Sequence, residues 1–284
     1  MTQKNFESKN TVPGSIAQAG IITKNTLLDY IRSRRFYILL SITVLIGLLL
    51  TIVAYYRPQF FPSSELGFYS TWWGISVSFV VVLSAIFFGG DAISGEFQNK
   101  TGYFGVPNPI RRSSIYVGKW FAALIASTVM IVVFTVIAVG NGLYFVSGVP
   151  YQFGESLLFS WIYLVAVLSF TFFFSSLFKS SSISILVSAI LLLVVFSLVN
   201  EIIVRFVQIE PWFLINYGAQ IIGSVLASPY PPHQTSVSAP GFRGETVQIN
   251  TFNASIPEGL AIMGIYFAVT AIIGLILFER KEFN

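Results

Sequence analysis

The chain has 284 residues, 55% of them hydrophobic, 16% aromatic and only 10% charged, with a formal net charge of +4 and a mean hydropathy of +0.77. A soluble domain carries about 25% charged residues, so a water-exposed globule of this size is excluded and lipid is the natural solvent. There is no cysteine, which rules out a disulfide framework, a thiolate metal site and a cysteine nucleophile.

Residues 1–14 read as a polar tail. The charges of Lys4, Glu7, Lys9, Lys24 and Asp29 break up any apolar run near the start, so no secretory signal is expected and targeting falls to the first membrane span. Residues 15–35, SIAQAGIITKNTLLDYIRSRR, hold no helix breaker after Gly20 and finish in a basic cluster. Wound as a helix they give an imperfect apolar face, because Lys24 falls among Leu27, Leu28 and Ile31. An interfacial helix is therefore left open by the pattern alone.

A hydrocarbon core about 30 Å thick needs roughly 20 helical residues rising about 1.5 Å each. Six segments qualify: 36–56, 68–90, 120–146, 157–178, 183–206 and 260–278. None alternates with period two, which excludes an outer-membrane barrel, and the expected fold class is an all-α integral membrane protein with six transmembrane helices. Phe68, Tyr69, Trp72 and Trp73 read as an aromatic interface belt at one end of the second span. In the fifth, Asn200, Glu201 and Arg205 predict that the helix leaves the lipid after residue 199, with Glu201 and Arg205 paired one turn apart.

Between the second and third spans lies DAISGEFQNKTGYFGVPNPIRRSSIYVGK, residues 91–119. Its first half can continue the second helix, Thr101-Gly102 and the prolines Pro107 and Pro109 break it, and Arg111-Arg112 lead to Gly118-Lys119 at the foot of the third span. Two readings stand at this point: a compact elbow able to transmit force, or a loop holding basic residues at lipid headgroups. The long connection 207–259 contains WFLINYGAQIIGSVLA, expected to be a short helix dipping into the membrane, then a rigid SPYPPH turn and a short strand at TVQINTF. Asn253-Ala254-Ser255 fits the glycosylation acceptor pattern, and Ser255 with Glu258 around Pro257 predicts a capping box opening the sixth span.

With both termini on one side, that side collects Lys4, Lys9, Lys24, Arg32, Arg34, Arg35, Lys100, Arg111, Arg112, Lys119, Lys179, Arg280 and Lys281, and the other only Arg57, Arg205 and Arg243. Thirteen of the 16 basic residues against three predicts cytoplasmic termini, and with them a cytoplasmic 91–119 segment.

Chemistry within the spans is sparse. Asp91, Lys179, Glu201 and Arg205 all fall at span ends, which removes most support for ion-coupled transport or intramembrane hydrolysis. His233, the sole histidine, reads as a solvated loop residue, and no metal site is expected. Val117-Gly118-Lys119-Trp120 fails as a P-loop, because Ser113 stands where glycine is needed and Trp120 where serine or threonine is needed. Energy for uphill movement must then come from another chain. Two other function classes remain in view: a membrane-embedded lipid-modifying enzyme using Asp91 and Glu96, or Glu201, Glu210 and His233, and an ATP-independent channel or scaffold built on the hydroxyls scattered through the spans.

The order Glu96, Thr101 beside glycine, Pro109, Arg112 and Gly118-Lys119 resembles the signature of ABC-2-type permeases, the membrane subunits of one class of ABC exporter. Gly102 follows the threonine rather than preceding it, Arg111 stands where serine is usual, and YFGVPN replaces a Leu-rich turn. SSLFKSSSISILVS, residues 175–188, is similar to the family's Ser/Lys hinge between the fourth and fifth spans. The resemblance implies an exporter permease in the cell membrane with no catalytic residues and no cofactor of its own. It would pair with a second permease, identical or paralogous, on two copies of an ABC ATP-binding subunit that hold ATP and Mg, with lipid around it and no nucleic acid. It implies ATPase-coupling roles for Asp91, Glu96, Lys100, Thr101, Pro109, Arg111, Arg112, Gly118 and Lys119, and a connecting helix over 15–35 carrying Lys24, Arg32, Arg34 and Arg35. Re-entrant external helices within 207–259 would form a gate, with Glu201, Arg205 and Trp212 beside it.

Overall fold

The computed structural model describes residues 14–74, 76–98, 111–240 and 246–281. An N-terminal helix, Ser15–Arg32, precedes six helices long and apolar enough to cross a membrane: Arg34–Tyr56, Glu65–Gln98, Arg112–Phe145, Tyr151–Leu177, Ser181–Val207 and Ile256–Arg280. The second and third spans run 34 residues each. At about 1.5 Å per residue a straight helix of that length is roughly 20 Å longer than a hydrocarbon core. All six outrun the hydropathy segments, since hydropathy ends where polar residues begin and a helix ends only where its hydrogen bonding does.

Ser33 separates the N-terminal helix from the first span. It adopts an extended conformation, φ −76° and ψ 144°, and its Oγ accepts from Phe36 N at 3.3 Å. That cap starts a new helix at Arg34, so Arg34 and Arg35 belong to the first span and not to the connecting helix expected over 15–35. The second span is built from short α-helical pieces around one wide turn at Ser70–Gly74 and a looser one at residues 90–93. The fifth span, expected to leave the lipid after residue 199, stays helical beyond it. It continues to Val207 through wide turns at Leu191–Val195 and Ile203–Val207, where Phe196 N–H bonds Leu191 O and Gln208 N–H bonds Ile203 O at 2.8 Å. The exposed side chains of Glu201 and Arg205 point outward without breaking the backbone ladder.

The connection to the sixth span holds two short helical turns, Ile215–Gly218 and Ile221–Ser224. Beyond them Gln234–Pro240 and Thr246–Phe252 form an antiparallel hairpin, Gln234 opposite Phe252 and Pro240 opposite Thr246. The second strand matches the expected TVQINTF strand; its partner, QTSVSAP, was hidden by small polar residues. The capping box on Ser255 and Glu258 is present.

Burial ranks the spans. The second and fourth are 65% and 61% buried and the third 50%, whereas the first is 22% and the fifth and sixth 17%. The three most buried spans form the centre, and the others turn apolar faces outward. Phe68, Tyr69, Trp72 and Trp73 are all buried, which corrects their reading as an interface belt. Trp72 and Trp73 stack on Phe134 of the third span at 5.1 and 5.7 Å, and Trp73 Nε1 donates to Ser156 Oγ of the fourth at 3.0 Å. A hydroxyl inside the bundle meets the indole N–H, so the ring needs no headgroup region.

Lipid is as apolar as the helices, so association rests on close packing and hydrogen bonds rather than on water exclusion. Small residues on the third span (Ala122, Ala123, Ala126 and Ala138) are fully buried. At its foot a Cβ on Gly118 would stand 2.8 Å from Ala19 O, a position open only to glycine. Thr23 Oγ1 donates to Gly118 O at 3.0 Å. The N-terminal helix is thereby docked on the third span through its Gln18, Ala19, Ile22 and Thr23 side.

Candidate functional site

At the terminus end, the flanks of the 91–119 segment are tied to the N-terminal helix and to the first, fourth, fifth and sixth spans. Arg35 of the first span forms an ion pair with Asp91, and Lys119 pairs with Glu96 while donating to Ala92 O at 2.8 Å. Ser175 of the fourth span accepts from both Ile93 N at 2.9 Å and Ser94 N at 3.0 Å, which satisfies the amides released where the second span turns. Gln98 Oε1 accepts from Ser181 N, the first residue of the fifth span, at 2.7 Å. Tyr30 OH donates to Phe88 O at 2.9 Å. Burial first, and the Asp91 charge second, push that phenol far above its ordinary range and keep it a donor.

The far flank is held as firmly. Arg112 donates to Glu279 O at 2.9 Å and Lys281 O at 2.8 Å, the open carbonyls at the end of the sixth span. Arg111 N donates to Gln18 Oε1 at 3.3 Å, and Ser114 Oγ donates to Ser15 O at 3.1 Å. Lys281 Nζ donates to Ser176 O at 2.9 Å and Phe178 O at 2.8 Å, and lies 4.4 Å from the Phe97 ring centroid. Burial, then the Lys179 charge, push the Lys281 amine down to about 8. Lys24, Arg32, Arg34 and Arg111 are exposed on this end. Lys100, Thr101 and Pro109 lie outside the described residues.

At the loop end the chemistry is different. A cavity of about 610 Å³ opens between the second, fourth and fifth spans and the two short helical turns, with Ser78, Tyr163, Ser197, Asn216, Gln220 and Asn253 among its lining. Asn216 Nδ2 donates to Ser197 Oγ at 3.4 Å, whereas Asn216 Oδ1 and Gln220 Oε1 are buried with no hydrogen-bond partner among the described residues. Of the expected gate residues, Glu201 and Arg205 form an exposed pair at 2.7 Å and Trp212 is 64% exposed, so none of the three lines the cavity.

A second polar group converges nearby. Glu210, His233 and Glu258 bring their ligand-capable atoms within 4.8 Å of one another, from beyond the fifth span, from the proline-rich turn and from the first turn of the sixth span. Tyr217 OH donates to Glu210 Oε1 at 2.7 Å. The Glu210 carboxyl is held below its ordinary range, first by its hydrogen bond with Glu258 and then by Tyr217 and His233, against burial acting upward. Of the residues named for an enzymatic reading, Glu210 and His233 therefore meet, Glu201 is tied to Arg205, and Asp91 and Glu96 each face a cation. Sequence reasoning read Glu258 only as a capping residue; the proline-rich turn that folds His233 back was the one signal available for the convergence.

A family model described as ABC-2 family transporter protein matches residues 21–283 of the chain. No curated protein matches it.

Proposed function

The chain belongs to the ABC-2 family of transporter proteins, and on that premise we propose that it is the membrane permease of an ATP-driven exporter. Its six spans make it a multi-pass membrane protein. In this reading the termini are cytoplasmic, two copies of a separate ATP-binding subunit hold ATP and Mg, and a second permease, identical or paralogous, completes the pathway. The Ser15–Arg32 helix serves as the connecting helix, the 91–119 segment as the coupling elbow, and the short turns after the fifth span as the re-entrant cap.

The observation that carries this reading is the set of bonds around the elbow's flanks. Glu96 and Lys119 fasten the second span to the third, Arg112 grips the end of the sixth, and Ser175 holds the turn to the fourth. Closure of ATP-bound partners against such a unit moves it as a body, and long helices carry that displacement to the cavity at the far end. Glu96, Arg112 and Lys119 act in this scheme as positioning residues. The Ser78, Ser197, Asn216 and Gln220 lining of the cavity suits a cargo that carries hydrogen-bonding groups, and the weakly buried first, fifth and sixth spans leave apolar faces for lipid and the second permease.

The test is co-expression with an ABC ATP-binding subunit. The expected result is a stable complex with stimulated ATPase activity that falls in Glu96→Ala and Arg112→Ala while both variants still insert. Undiminished coupling in both, or flux through liposomes without ATP, overturns the reading. Because the chain lacks cysteine, orientation is read separately. A membrane-impermeant maleimide should label Asn253→Cys in intact cells and Lys179→Cys only after permeabilisation.

A further inference from the structure

We propose that Glu210, His233 and Glu258 form a binding site for one divalent cation of the zinc class, stapling the three segments that bound the loop end. The inference rests on the geometry of these side chains and not on the transporter reading.

The first argument is one of orientation. His233 Nδ1 lies 3.1 Å from Asn253 O, a carbonyl that can only accept, so that bond takes the Nδ1 proton and turns Nε2 toward Glu210, whose Oε2 lies 3.3 Å away. A backbone carbonyl that takes one ring N–H and aims the other nitrogen is also the usual support of a metal-bound histidine. The carboxylates have matching supports: Tyr217 OH on Glu210 Oε1 at 2.7 Å, and Ser255 N on Glu258 Oε2 at 3.2 Å.

The second argument is one of size and donor type. Zinc binds imidazole nitrogen and carboxylate oxygen at about 2.0–2.2 Å, so tetrahedral ligands stand about 3.3–3.5 Å apart. The observed 3.3 Å between Nε2 and Oε2 matches one edge of that tetrahedron, and Glu258, whose Oε2 lies 3.9 Å from His233 Nδ1, supplies the third ligand of the 4.8 Å cluster. Water completes the fourth position, since His233 is 54% exposed. Calcium calls for about 6–8 oxygens and magnesium for a near-octahedral oxygen shell; one imidazole and two carboxylates suit neither. Asn253, which orients His233, also lines the 610 Å³ cavity, so a bound cation fixes part of that cavity's wall.

The test uses the full chain in detergent, stripped with chelator and titrated with zinc chloride by calorimetry, with magnesium chloride as the comparison. The expected result is one zinc per chain, a raised thermal midpoint, and no saturable magnesium binding. His233→Ala and Glu210→Gln should each weaken zinc by at least about tenfold, as loss of a supporting shell alone costs about 10–100-fold. Glu258→Gln keeps the capping box, because glutamine caps as glutamate does, and should weaken zinc as well. Size-exclusion profiles confirm that each variant is folded. Unchanged zinc affinity in His233→Ala, absence of saturable zinc binding, or equal binding of magnesium overturns the proposal.

Discussion

The two ends of the bundle handle polar groups in opposite ways. At the terminus end, Arg35, Lys119, Arg112 and Lys281 each meet a carboxylate or a set of open carbonyls, and with the Gln98–Ser181 and Gln18–Arg111 bonds they join the N-terminal helix and all six spans. At the loop end, Glu201 and Arg205 meet in solvent, Tyr217 bonds Glu210 beyond the fifth span, and Ser78, Ser197, Asn216 and Gln220 line an open cavity. One end is cross-tied between spans by charged side chains, and the other sets local polar contacts around an open cavity.

The comparison can be broken most readily at Arg112. Its guanidinium serves two carbonyls at the sixth span's end, so Arg112→Ala should lower stability by about 2 kcal/mol, the scale for hydrogen bonds to charged groups. Thermal unfolding in detergent measures the loss, and Arg112→Lys should recover part of it. Ser175→Ala removes the acceptor shared by two buried amides at the turn in the second span, and an expected cost of about 1–2 kcal/mol follows from stranding them. Amide exchange at Ile93 and Ser94 should rise with it; unchanged protection there would show that the turn is held by other means.

Lys281 gives a pH-dependent version of the same test. Its amine is pushed from the ordinary 10.5 down to about 8, so charging it disfavours the folded state. That penalty is complete below about pH 8 and disappears as pH rises through 10.5, because over this window the unfolded chain binds more protons. The thermal midpoint of the wild type should therefore gain on Lys281→Ala between those two values. The smallest effect belongs to the loop end: Glu201→Ala should shift stability by no more than about 0.5 kcal/mol, the usual worth of an exposed helical ion pair. A larger loss would mean that the loop end is fastened too, and the contrast between the ends would dissolve.

Much of the fold is legible in the sequence for plain physical reasons. Six apolar runs must become helices because lipid offers backbone amides no partner, and the Ser255–Glu258 cap and Glu201–Arg205 pair depend only on residues a turn apart. What escaped reading depends on distance in sequence or on which face a helix presents. The Trp72 and Trp73 rings are amphipathic enough for an interface, and only the facing Phe134 and Ser156 draw them inside. Ser33 looked like one more residue of a basic helix until its own φ and ψ made it a boundary. The flanks of the 91–119 segment carry the residues of the family resemblance, but their partners at Glu279, Lys281 and Ser175 were not legible, because nothing local links them. The same holds for Glu210, His233 and Glu258, which a loop carries together from separate segments.

The wide turn at Leu191–Val195 has a consequence for the fifth span's lineage. A turn in which Phe196 reaches back to Leu191 is an ordinary helix with one residue spliced in. Deleting a single leucine there would restore the regular ladder, and because the wide turn takes up its extra residue within one turn, the residues beyond would keep their facing, Ser197 on the cavity wall and Glu201 beside Arg205 outside. A gap of one position at this point in a related chain would therefore leave the lining as it is, whereas the same gap in a regular stretch of the span would turn everything beyond it by about 100°, the angular step of one residue.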